Sequence, residues 1–290
     1  MSIKSRLLDI FRNLSRIPFI EKKLAAATGK GNALAQKLIA GMHLYPKGSI
    51  RTCTRNGITY RLDISDYMEH ALYFNISNHV DFDRRMLYSL IHEDYVCFDI
   101  GANIGETTLN FAQLAKNGKV YSFEPVPFLY ERLTTNVGLN TFKNIELHNL
   151  AISDNSDDLF FEAPKNRNSS GISLTKENSN TTMRVASNTL DEFVSSKQIE
   201  KIDFIKIDVE GFENYVINGA KQTLKKFKPM LFVEIDNRYL IPKNTSEKKL
   251  LTQLQQEFSY TLYRIHGLEK IKINTIEDSG QHYDVLCVPE

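Results

Sequence analysis

The alternation of apolar and polar positions changes character near residue 95 of the chain. From there, short apolar segments alternate with segments that carry apolar residues at helical spacing, a pattern typical of strands and helices in turn. The predicted strands are YVCFDI (95–100), KVYSFE (119–124), IELHNLAI (145–152), KIDFIKID (201–208), PMLFVEID (229–236), YTLYRI (260–265) and YDVLCV (283–288). The predicted helices span 104–116, 127–139, 212–225 and 246–258. The pattern predicts an α/β domain over 91–290, with a mostly parallel sheet between two layers of helices.

The first ninety residues have a different pattern. Apolar residues recur at helical spacing from Leu7 to Ile17 with Lys and Arg between them, and Pro18 interrupts the run, so we predict helices within residues 3–40. Asn56-Gly57 separates two alternating segments and predicts a hairpin over residues 50–64. We therefore expect a basic helical extension over 1–48 and, over 49–90, a hairpin and helix that cap the substrate side.

One long segment does not fit the alternation of strands and helices. Residues 163–189 are rich in Asn, Ser and Thr and poor in apolar residues. We interpret this segment as a polar insertion at the surface, either a loop or a lid over the site.

The charge is distributed unevenly along the chain. The 290 residues carry a net charge of +1, whereas residues 1–50 hold nine Lys/Arg against two Asp/Glu, a net of +7. The near-neutral total excludes a general nucleic-acid-binding signature. We interpret the basic N-terminus as a helix packed on the main domain, and peripheral contact with an anionic membrane is the alternative.

The cysteines and the apolar runs of the chain bear on its localisation. The three cysteines, Cys53, Cys97 and Cys287, are odd in number and widely spaced, as expected for free thiols in a reducing compartment. The chain has neither the continuous apolar segment of a signal peptide at its N-terminus nor a run long enough to span a membrane. We expect a cytoplasmic protein, with the inner face of the membrane as its alternative site of contact.

The stretch VCFDIGANIGETT at residues 96–108 has the outline of a nucleotide-binding loop. Aligned on Gly101, the second and third glycine positions of a dinucleotide loop hold Asn103 and Glu106. The second glycine normally lets a pyrophosphate approach the backbone, and Glu106 puts a negative charge where the phosphates would lie. The loop therefore predicts a nucleotide-like ligand without phosphates.

S-adenosylmethionine meets this requirement, because it combines a sulfonium cation, an amino-acid group, a ribose and an adenine. Asp99 at the strand end can attract the ammonium group, directly or through water, and Gly101 and Gly105 permit close approach of the backbone. Free N–H groups at the start of the helix can bind the carboxylate. Glu124 ends the next strand, just before Pro125, and can accept hydrogen bonds from both ribose hydroxyls.

Transfer of a methyl group to a hydroxyl requires that the hydroxyl lose its proton to a base or to a metal ion that acidifies it. In KIDVEG, alternation places Lys206, Asp208 and Glu210 on one side of the chain, and we predict these three as catalytic residues. Asp208, Glu210 and Glu234 are also candidate oxygen ligands for Mg²⁺ or Mn²⁺. The simpler interpretations are that Glu210 stabilises the start of the following helix and that Glu234 pairs with Lys206.

Substrate contacts are expected from the segment that precedes the cofactor domain. Glu69, His70 and His79 lie there, and with Glu234 they are our candidates for contacts with the methyl acceptor. A histidine outside the core strands, such as these or His282, is more often a surface or packing residue than a catalyst.

Five segments in this order resemble the FkbM-type S-adenosylmethionine-dependent methyltransferases, over roughly residues 60–290. They are FDIGANIGETT, VYSFEPVP, NLAISD, IDFIKIDVEGFE and MLFVEID. KIDVEGFE is the most specific to the family, whereas class I methyltransferases in general share the glycine loop. The resemblance implies a Rossmann-like class I methyltransferase fold with a seven-stranded sheet whose last strand, YDVLCV, is antiparallel.

The resemblance also implies roles for individual residues. Asp99, Gly101, Asn103 and Gly105 would line the cofactor loop, and Glu124 would hold the ribose. Asn149 and Ala151 would lie near the adenine.

The family transfers methyl groups, usually to oxygen, and many members act on sugars or polyketide-type metabolites. We therefore predict an O-methyltransferase that acts on a hydroxyl of a sugar, glycan or glycosylated metabolite. One alternative is an NAD-dependent oxidoreductase of Rossmann type, which Asn103 and Glu106 disfavour. The other is a non-catalytic S-adenosylmethionine-binding protein, which the intact loop, Glu124 and Asp208 disfavour.

Overall fold

The computed structural model describes residues 12–29, 31–76, 79–162, 174–175 and 182–290. The chain divides into two compact units, residues 1–78 and residues 79–290. The division falls inside the segment 49–90, so the hairpin and the helix after it belong to the same unit as the N-terminal helices.

The first unit combines short helices with the predicted hairpin. Its elements are helices α1 (Pro18–Thr28) and α2 (Ala33–Leu38), strands β1 (Ile50–Arg55) and β2 (Ile58–Asp63), and helix α3 (Tyr67–Phe74). Asn56 and Gly57 have φ angles of 50° and 83°, as the two central residues of a type I′ turn require. Pro18 is at the first turn of α1 rather than inside a helix. Residues 1–11, with much of the predicted first helix, lie outside the described residues.

A buried carboxylate holds the first unit together. Glu21 on α1 has no exposed surface, and its Oε1 lies 2.6 Å from Nε of Arg51 on β1. The Tyr73 hydroxyl of α3 donates to the same oxygen at 3.2 Å. Glu21 therefore joins a helix, a strand and a second helix, and removing one partner of such a buried pair is costly.

The second unit follows the predicted alternation of strands and helices. Its helices are α4 (His79–Ser89), α5 (Glu106–Leu114), α6 (Pro127–Gly138), α7 (Leu190–Ser196), α8 (Glu213–Asn218), α9 (Lys221–Phe227), α10 (Asn237–Leu240) and α11 (Glu247–Gln256). Its strands are β3 (Val96–Ile100), β4 (Lys119–Phe123), β5 (Ile145–His148), β6 (Ala151–Ile152), β7 (Leu159–Glu162), β8 (Leu174–Thr175), β9 (Thr182–Val185), β10 (Ser187–Asn188), β11 (Phe204–Ile207), β12 (Met230–Asp236), β13 (Tyr260–His266), β14 (Glu269–Lys272) and β15 (His282–Pro289).

Among the described residues, the main sheet contains eight strands in the order β14-β13-β15-β12-β11-β3-β4-β5, one more than predicted. The strands β12, β11, β3, β4 and β5 pair in parallel. The last strand, β15, is antiparallel to both β12 and β13, as the family resemblance implied. The additional strand β14 is exposed at every residue, so it lacks the buried positions by which a strand is recognised in a sequence.

Apolar layers cover both faces of this sheet. Phe98 and Ile205 belong to one buried cluster and their neighbours Cys97 and Phe204 to another, as expected when successive side chains of a strand point to opposite faces. The first cluster includes residues of α7, α8 and α11, and the second includes residues of α4 and α5. This arrangement confirms the predicted three-layer α/β fold.

Part of the predicted insertion is folded into strands. β7, β8 and β9 form a small antiparallel sheet, and β10 pairs in parallel with β6. Residues 163–173 and 176–181 of this segment lie outside the described residues. Our interpretation of the segment as a loop or a lid therefore stays a prediction.

The longest helices described are too short or too polar to cross a bilayer, so no membrane span is found in the described part of the chain.

Candidate active site

The polar groups of interest lie at one edge of the main sheet, which we call the C-terminal edge because β3, β4, β11 and β12 end there. The antiparallel strand β15 begins at this same edge, since Asp236 at the end of β12 pairs with His282 at the start of β15. Ligands of open parallel sheets bind outside this edge, where the loops after neighbouring strands converge.

The glycines of the loop after β3 are required by packing within the protein. Gly101, Asn103 and Gly105 all have positive φ angles, of 87°, 51° and 92°. A Cβ atom on Gly101 would lie 1.8 Å from the backbone oxygen of Asp208, and one on Gly105 would lie 2.5 Å from Cδ1 of Leu133. The two glycines therefore let the backbone pack closely against the loop after β11 and against helix α6, in addition to the close approach of a ligand that we predicted.

Asp99 supports this loop from inside and does not face solvent. None of its surface is exposed, and its Oδ2 accepts a hydrogen bond from the Thr108 hydroxyl at 2.6 Å. Its Oδ1 lies 3.7 Å from Nζ of Lys206. Burial raises the pKa of Asp99, although Lys206 and Thr108 oppose this shift. Because Asp99 has no exposed surface, the expected contact of its carboxylate with an ammonium group, directly or through water, stays a prediction.

Lys206 on β11 joins the ends of two strands. Its buried ammonium donates to the backbone oxygen of Gly101 at 3.2 Å and lies 2.9 Å from Oδ2 of Asp208. Burial lowers the pKa of Lys206, but the charges of Asp208 and Asp99 outweigh it, and the net shift is upward. Lys206 is therefore a permanent cation that positions Asp208 and the loop, and it cannot act as a base.

Asp208 is the most accessible carboxylate of this group, since about 40% of its side chain is exposed, against 21% for Glu234. Asp208 and Glu234 share a hydrogen bond. Burial tends to raise both pKa values, but Lys206 brings the pKa of Asp208 below its usual range. The pKa of Glu234 is raised well above its usual range by burial and by the charge of Asp208. Asp208 is thus the carboxyl group of the pair that ionises more readily, and Glu234 is the one that holds a proton more readily.

His282 extends this pair, a contact that the sequence pattern did not predict. Its Nε2 lies 2.8 Å from Oε1 of Glu234, and about 45% of its side chain is exposed. Glu234 therefore contacts His282 and Asp208, and it also interacts electrostatically with Lys206, the partner that we predicted. The expected antiparallel direction of the last strand could have indicated this contact, because an antiparallel strand brings its first residues to the C-terminal edge.

Glu210 lies in the turn that follows Asp208 and contacts Tyr239. Glu210 and Gly211 have φ angles of 54° and 96° and form a tight turn after β11. Glu210 hydrogen-bonds the Tyr239 hydroxyl. The following carboxylate, Glu213, accepts hydrogen bonds from the backbone N–H groups of Val209 and Gly211 at 3.2 and 3.1 Å. Glu213 thus caps the turn before α8, and the prediction that Glu210 lies in the first turn of that helix is wrong.

Two of the three predicted metal ligands, Asp208 and Glu234, lie together, but each of the three has another protein partner. Asp208 pairs with Lys206, Glu234 with His282, and Glu210 with Tyr239. Nowhere in the described ranges do three His, Cys, Asp or Glu side chains converge as metal ligands would. The hypothesis of a bound Mg²⁺ or Mn²⁺ is therefore not supported.

Glu124 connects the loops after β3 and β4. It is buried, and its two oxygens accept hydrogen bonds from the backbone N–H groups of Asn103 at 2.8 Å and Val126 at 2.9 Å. Burial raises the pKa of Glu124 to about 7, although these two hydrogen bonds lower it. The carboxylate therefore changes charge near neutral pH, unlike an ordinary glutamate.

Asn149 holds the same loop from the next strand. Its side-chain amide donates to the backbone oxygens of Glu124 at 2.8 Å and Pro125 at 3.0 Å. Ala151 is buried and pairs with Ser187 of β10. The predicted proximity of Asn149 and Ala151 to an adenine remains a prediction.

Two of the four candidates for substrate contacts are engaged inside the first unit. Glu69 has no exposed surface and accepts a hydrogen bond from the backbone N–H of Asp63 at 2.6 Å. The ring of His70 packs against Phe74, and its Nε2 lies 2.9 Å from the backbone oxygen of Ala40. Glu69 and His70 thus make contacts within the first unit, and their contact with the methyl acceptor stays a prediction. The side chain of His79 lies outside the described residues.

The sheet order, the antiparallel last strand, the glycine loop and the strand-end glutamate together define a Rossmann-like methyltransferase domain. A model of the methyltransferase FkbM domain matches residues 99–260, more than half of the 290 residues. The chain belongs to this family and is an S-adenosylmethionine-dependent methyltransferase. The alternatives of an oxidoreductase and of a non-catalytic protein are thereby set aside.

Two similar proteins bear names that describe sugar chemistry or oxygen methylation. Hexuronic acid methyltransferase AglP of Haloferax volcanii is 31% identical over 174 residues, which cover 59% of this chain and 69% of that protein. 2-O-methyltransferase NoeI of Sinorhizobium fredii is 30% identical over 173 residues, which cover 54% of this chain and 70% of that protein. The crystal structure of a methyltransferase FkbM from Methylobacillus flagellatus aligns with 69% of this chain and 47% of its own, at 17% identity and a TM-score of 0.45.

The residues at the C-terminal edge fit the methyl donor. Gly105, the N-cap of α5, contributes no side-chain cap, so the first N–H groups of the helix suit a ligand carboxylate. Glu124 retains acceptor capacity beyond its two backbone hydrogen bonds, as two ribose hydroxyls would need. S-adenosylmethionine supplies a methyl group that its sulfonium already activates.

Replacing Glu124 by Gln is expected to weaken cofactor binding and to remove its pH dependence. If the ribose hydroxyls donate to Glu124 as predicted, they require its ionised carboxylate, so binding by the unmodified protein should weaken as pH falls below about 7. Since the carboxylate would be about 90% protonated one pH unit below its pKa, the Kd should rise roughly tenfold between pH 8 and pH 6. Glu124→Gln should raise the Kd at pH 8 by about 10- to 100-fold. Isothermal titration calorimetry at both pH values measures these effects.

The matched control is Glu213→Gln, because burial raises the pKa of Glu213 to about 7 as well. That variant should keep the pH dependence of cofactor binding. If it lost the dependence and Glu124→Gln kept it, the assignment of Glu124 to the ribose would be wrong.

Proposed function

We propose that this protein transfers a methyl group to a hydroxyl of a sugar or glycan, with Asp208 as the base that accepts the hydroxyl proton. The observation that carries the proposal is the accessible, ionised carboxylate of Asp208 beside the cofactor loop. The names of the two relatives support a sugar acceptor, since one describes a hexuronic acid methyltransferase and the other a 2-O-methyltransferase.

Asp208 has the properties that this role requires. Lys206 keeps it ionised, and Gly101 accepts a hydrogen bond from the same ammonium, which fixes the carboxylate relative to the cofactor loop. A sugar hydroxyl aligned with the donor would lose its proton to Asp208 as its oxygen attacks the methyl carbon. Positioning is the main demand on the protein, because the methyl group is already activated.

Glu234 and His282 provide a route for that proton to leave. Once Asp208 is protonated, the hydrogen bond that it shares with Glu234 connects it to Nε2 of His282. The side chain of His282 is about 45% exposed, so it connects the two carboxyl groups to solvent. The unit of proton transfer is therefore a line of three side chains, which we call the Asp208–Glu234–His282 line.

The test is to identify the methylated product. The full chain is incubated with S-adenosylmethionine labelled in its methyl group and with glycan extracts, together with defined neutral and uronic-acid glycosides. We expect the label in a methyl ether of a sugar, which survives mild alkali. Release of the label as methanol by alkali would indicate a carboxyl ester, and label confined to nitrogen or to non-sugar compounds would contradict a sugar acceptor.

A further inference from the structure

The charge of the chain divides along the boundary between the two units. Residues 1–78 hold twelve Lys/Arg against five Asp/Glu, a net of +7, and the remainder of the chain has a net of −6. Between residues 12 and 62 the sequence contains one carboxylate, Glu21. Glu21 has no exposed surface and pairs with Arg51. Over this stretch the first unit therefore presents cations to solvent without an exposed carboxylate.

Large apolar side chains are exposed in the same part of the first unit. Of the twelve that are exposed among the described residues, seven lie between residues 14 and 42. They are Leu14, Ile17, Phe19, Ile20, Leu34, Leu38 and Met42. Phe19 and Leu34 are the most exposed of all twelve, at 66% and 69%. A concentration of this kind marks an interaction surface, whereas single exposed apolar residues are ordinary.

The helices present these apolar residues together with lysines. α1 and α2 pack against each other, and α1 buries Ala25 and Thr28 on its inner side. On the outer side of α1, Nζ of Lys23 lies 4.3 Å from the centre of the Phe19 ring. On α2, Leu34 and Leu38 are one turn apart and so lie on the same side of the helix.

The segment before α1 belongs to the same region. Nε of Arg12 donates to the backbone oxygen of Lys37 on α2 at 3.4 Å, which holds the segment with Leu14 and Ile17 beside that helix. We call the exposed apolar residues 14–42, together with the exposed Lys22, Lys23 and Lys37, the basic apolar surface.

We propose that the basic apolar surface binds anionic lipid membranes, with its apolar side chains in the headgroup region and its lysines at the lipid charges. Exposed Phe and Leu beside Lys, without an exposed carboxylate, form the combination that interfacial helices use. An RNA or DNA partner would match the lysines but would leave seven large apolar side chains in water. A protein partner would match the apolar residues, but a predominantly cationic surface demands an acidic one. An anionic lipid surface matches both the lysines and the exposed apolar side chains.

The experiment is co-sedimentation of the full chain with vesicles of phosphatidylcholine alone and of phosphatidylcholine with phosphatidylglycerol. We expect binding to the anionic vesicles that weakens as salt is raised, and little binding to the neutral ones. The double variant Phe19→Ser/Leu34→Ser and the double variant Lys22→Glu/Lys23→Glu should each lower the partition coefficient by roughly tenfold or more.

Strand β14 and the turn before it offer matched controls in the second unit. Leu268 and Ile271 are 59% and 53% exposed, and Lys270 and Lys272 are exposed as well. Leu268→Ser/Ile271→Ser and Lys270→Glu/Lys272→Glu remove the same kinds of group elsewhere and should leave vesicle binding unchanged. All four double variants change exposed side chains, so their melting temperatures should match that of the unmodified chain.

Several results would overturn the proposal. These are absence of binding to anionic vesicles at low salt, equal binding to neutral vesicles, and an equal loss in the β14 controls. Binding of RNA or DNA without vesicle binding, or self-association that the Phe19→Ser/Leu34→Ser variant abolishes, would assign the surface to another occupant. Methylation of a water-soluble acceptor should be the same in all four variants, so the membrane proposal can fail while the proposed function stands.

Discussion

Replacing Asp208 by Asn is expected to lower kcat by roughly 10²- to 10⁴-fold, the usual contribution of a general base. The amide keeps the shape of the side chain but cannot take the hydroxyl proton. Affinity for S-adenosylmethionine should change little, because Lys206 still donates to Gly101 and still faces Asp99. Steady-state kinetics with the identified acceptor, together with calorimetry for the cofactor, separates the loss of chemistry from a loss of binding.

The control for this prediction lies at the opposite end of the same strand. Asp203 precedes β11, and its Oδ2 accepts a hydrogen bond from the backbone N–H of Val96 at 2.7 Å, away from the C-terminal edge. Asp203→Asn should therefore keep its kcat and lose only a little stability. His282→Ala should lower kcat less than Asp208→Asn, and added imidazole should restore part of the loss. Full activity of Asp208→Asn would show that another group takes the proton.

Replacing Gly101 by Ala is expected to destabilise the second unit by roughly 2–5 kcal/mol and to abolish activity. The new Cβ would lie 1.8 Å from the backbone oxygen of Asp208, and the φ angle of 87° is unfavourable for any residue with a Cβ. Relief of this clash requires the loop after β3 and the loop after β11 to move apart. This movement would separate Asp208 from the cofactor loop, so stability and activity should fall together. Thermal and urea unfolding measure the first, and the methylation assay the second.

Two other glycines separate the contributions of φ and of the clash. Gly280 also has a positive φ, of 67°, but nothing lies within 4 Å of its would-be Cβ, so Gly280→Ala should lose about 1 kcal/mol. Gly138 ends α6 with open space and without a positive φ, and Gly138→Ala should not destabilise the protein. If Gly101→Ala were no worse than Gly280→Ala, the clash with Asp208 would not exist in solution.

The fold could be predicted because its signals are local. Apolar runs such as VCFDI and MLFVEID are buried on both faces, so each strand shows in its own residues. The Asn56-Gly57 turn is specified by two residues whose φ angles are both positive. Strand β14 was not predicted, because all of its residues are exposed and its sequence shows no pattern of buried positions.

The site could be predicted only in part, because side-chain partners come from distant segments. The sequence indicated Asp99, Lys206 and Asp208 as a group, but Asp99 proved to be buried, and Lys206 proved to be the cation between the other two. Glu69 and His70 looked available because a sequence does not show that they are buried within the first unit.

By itself, the sequence determined the α/β architecture, the family and the methyl donor, since strand patterning and a contiguous loop such as DIGANIGE are properties of neighbouring residues. The tertiary structure alone decided which carboxylate is ionised and accessible. Asp208, Glu234 and His282 lie at the ends of three strands. Lys206, 2.9 Å from Asp208, lowers the pKa of that carboxylate against the effect of burial, whereas burial and the charge of Asp208 raise the pKa of Glu234. The contacts among these three side chains form only when the antiparallel last strand returns to the C-terminal edge of the sheet.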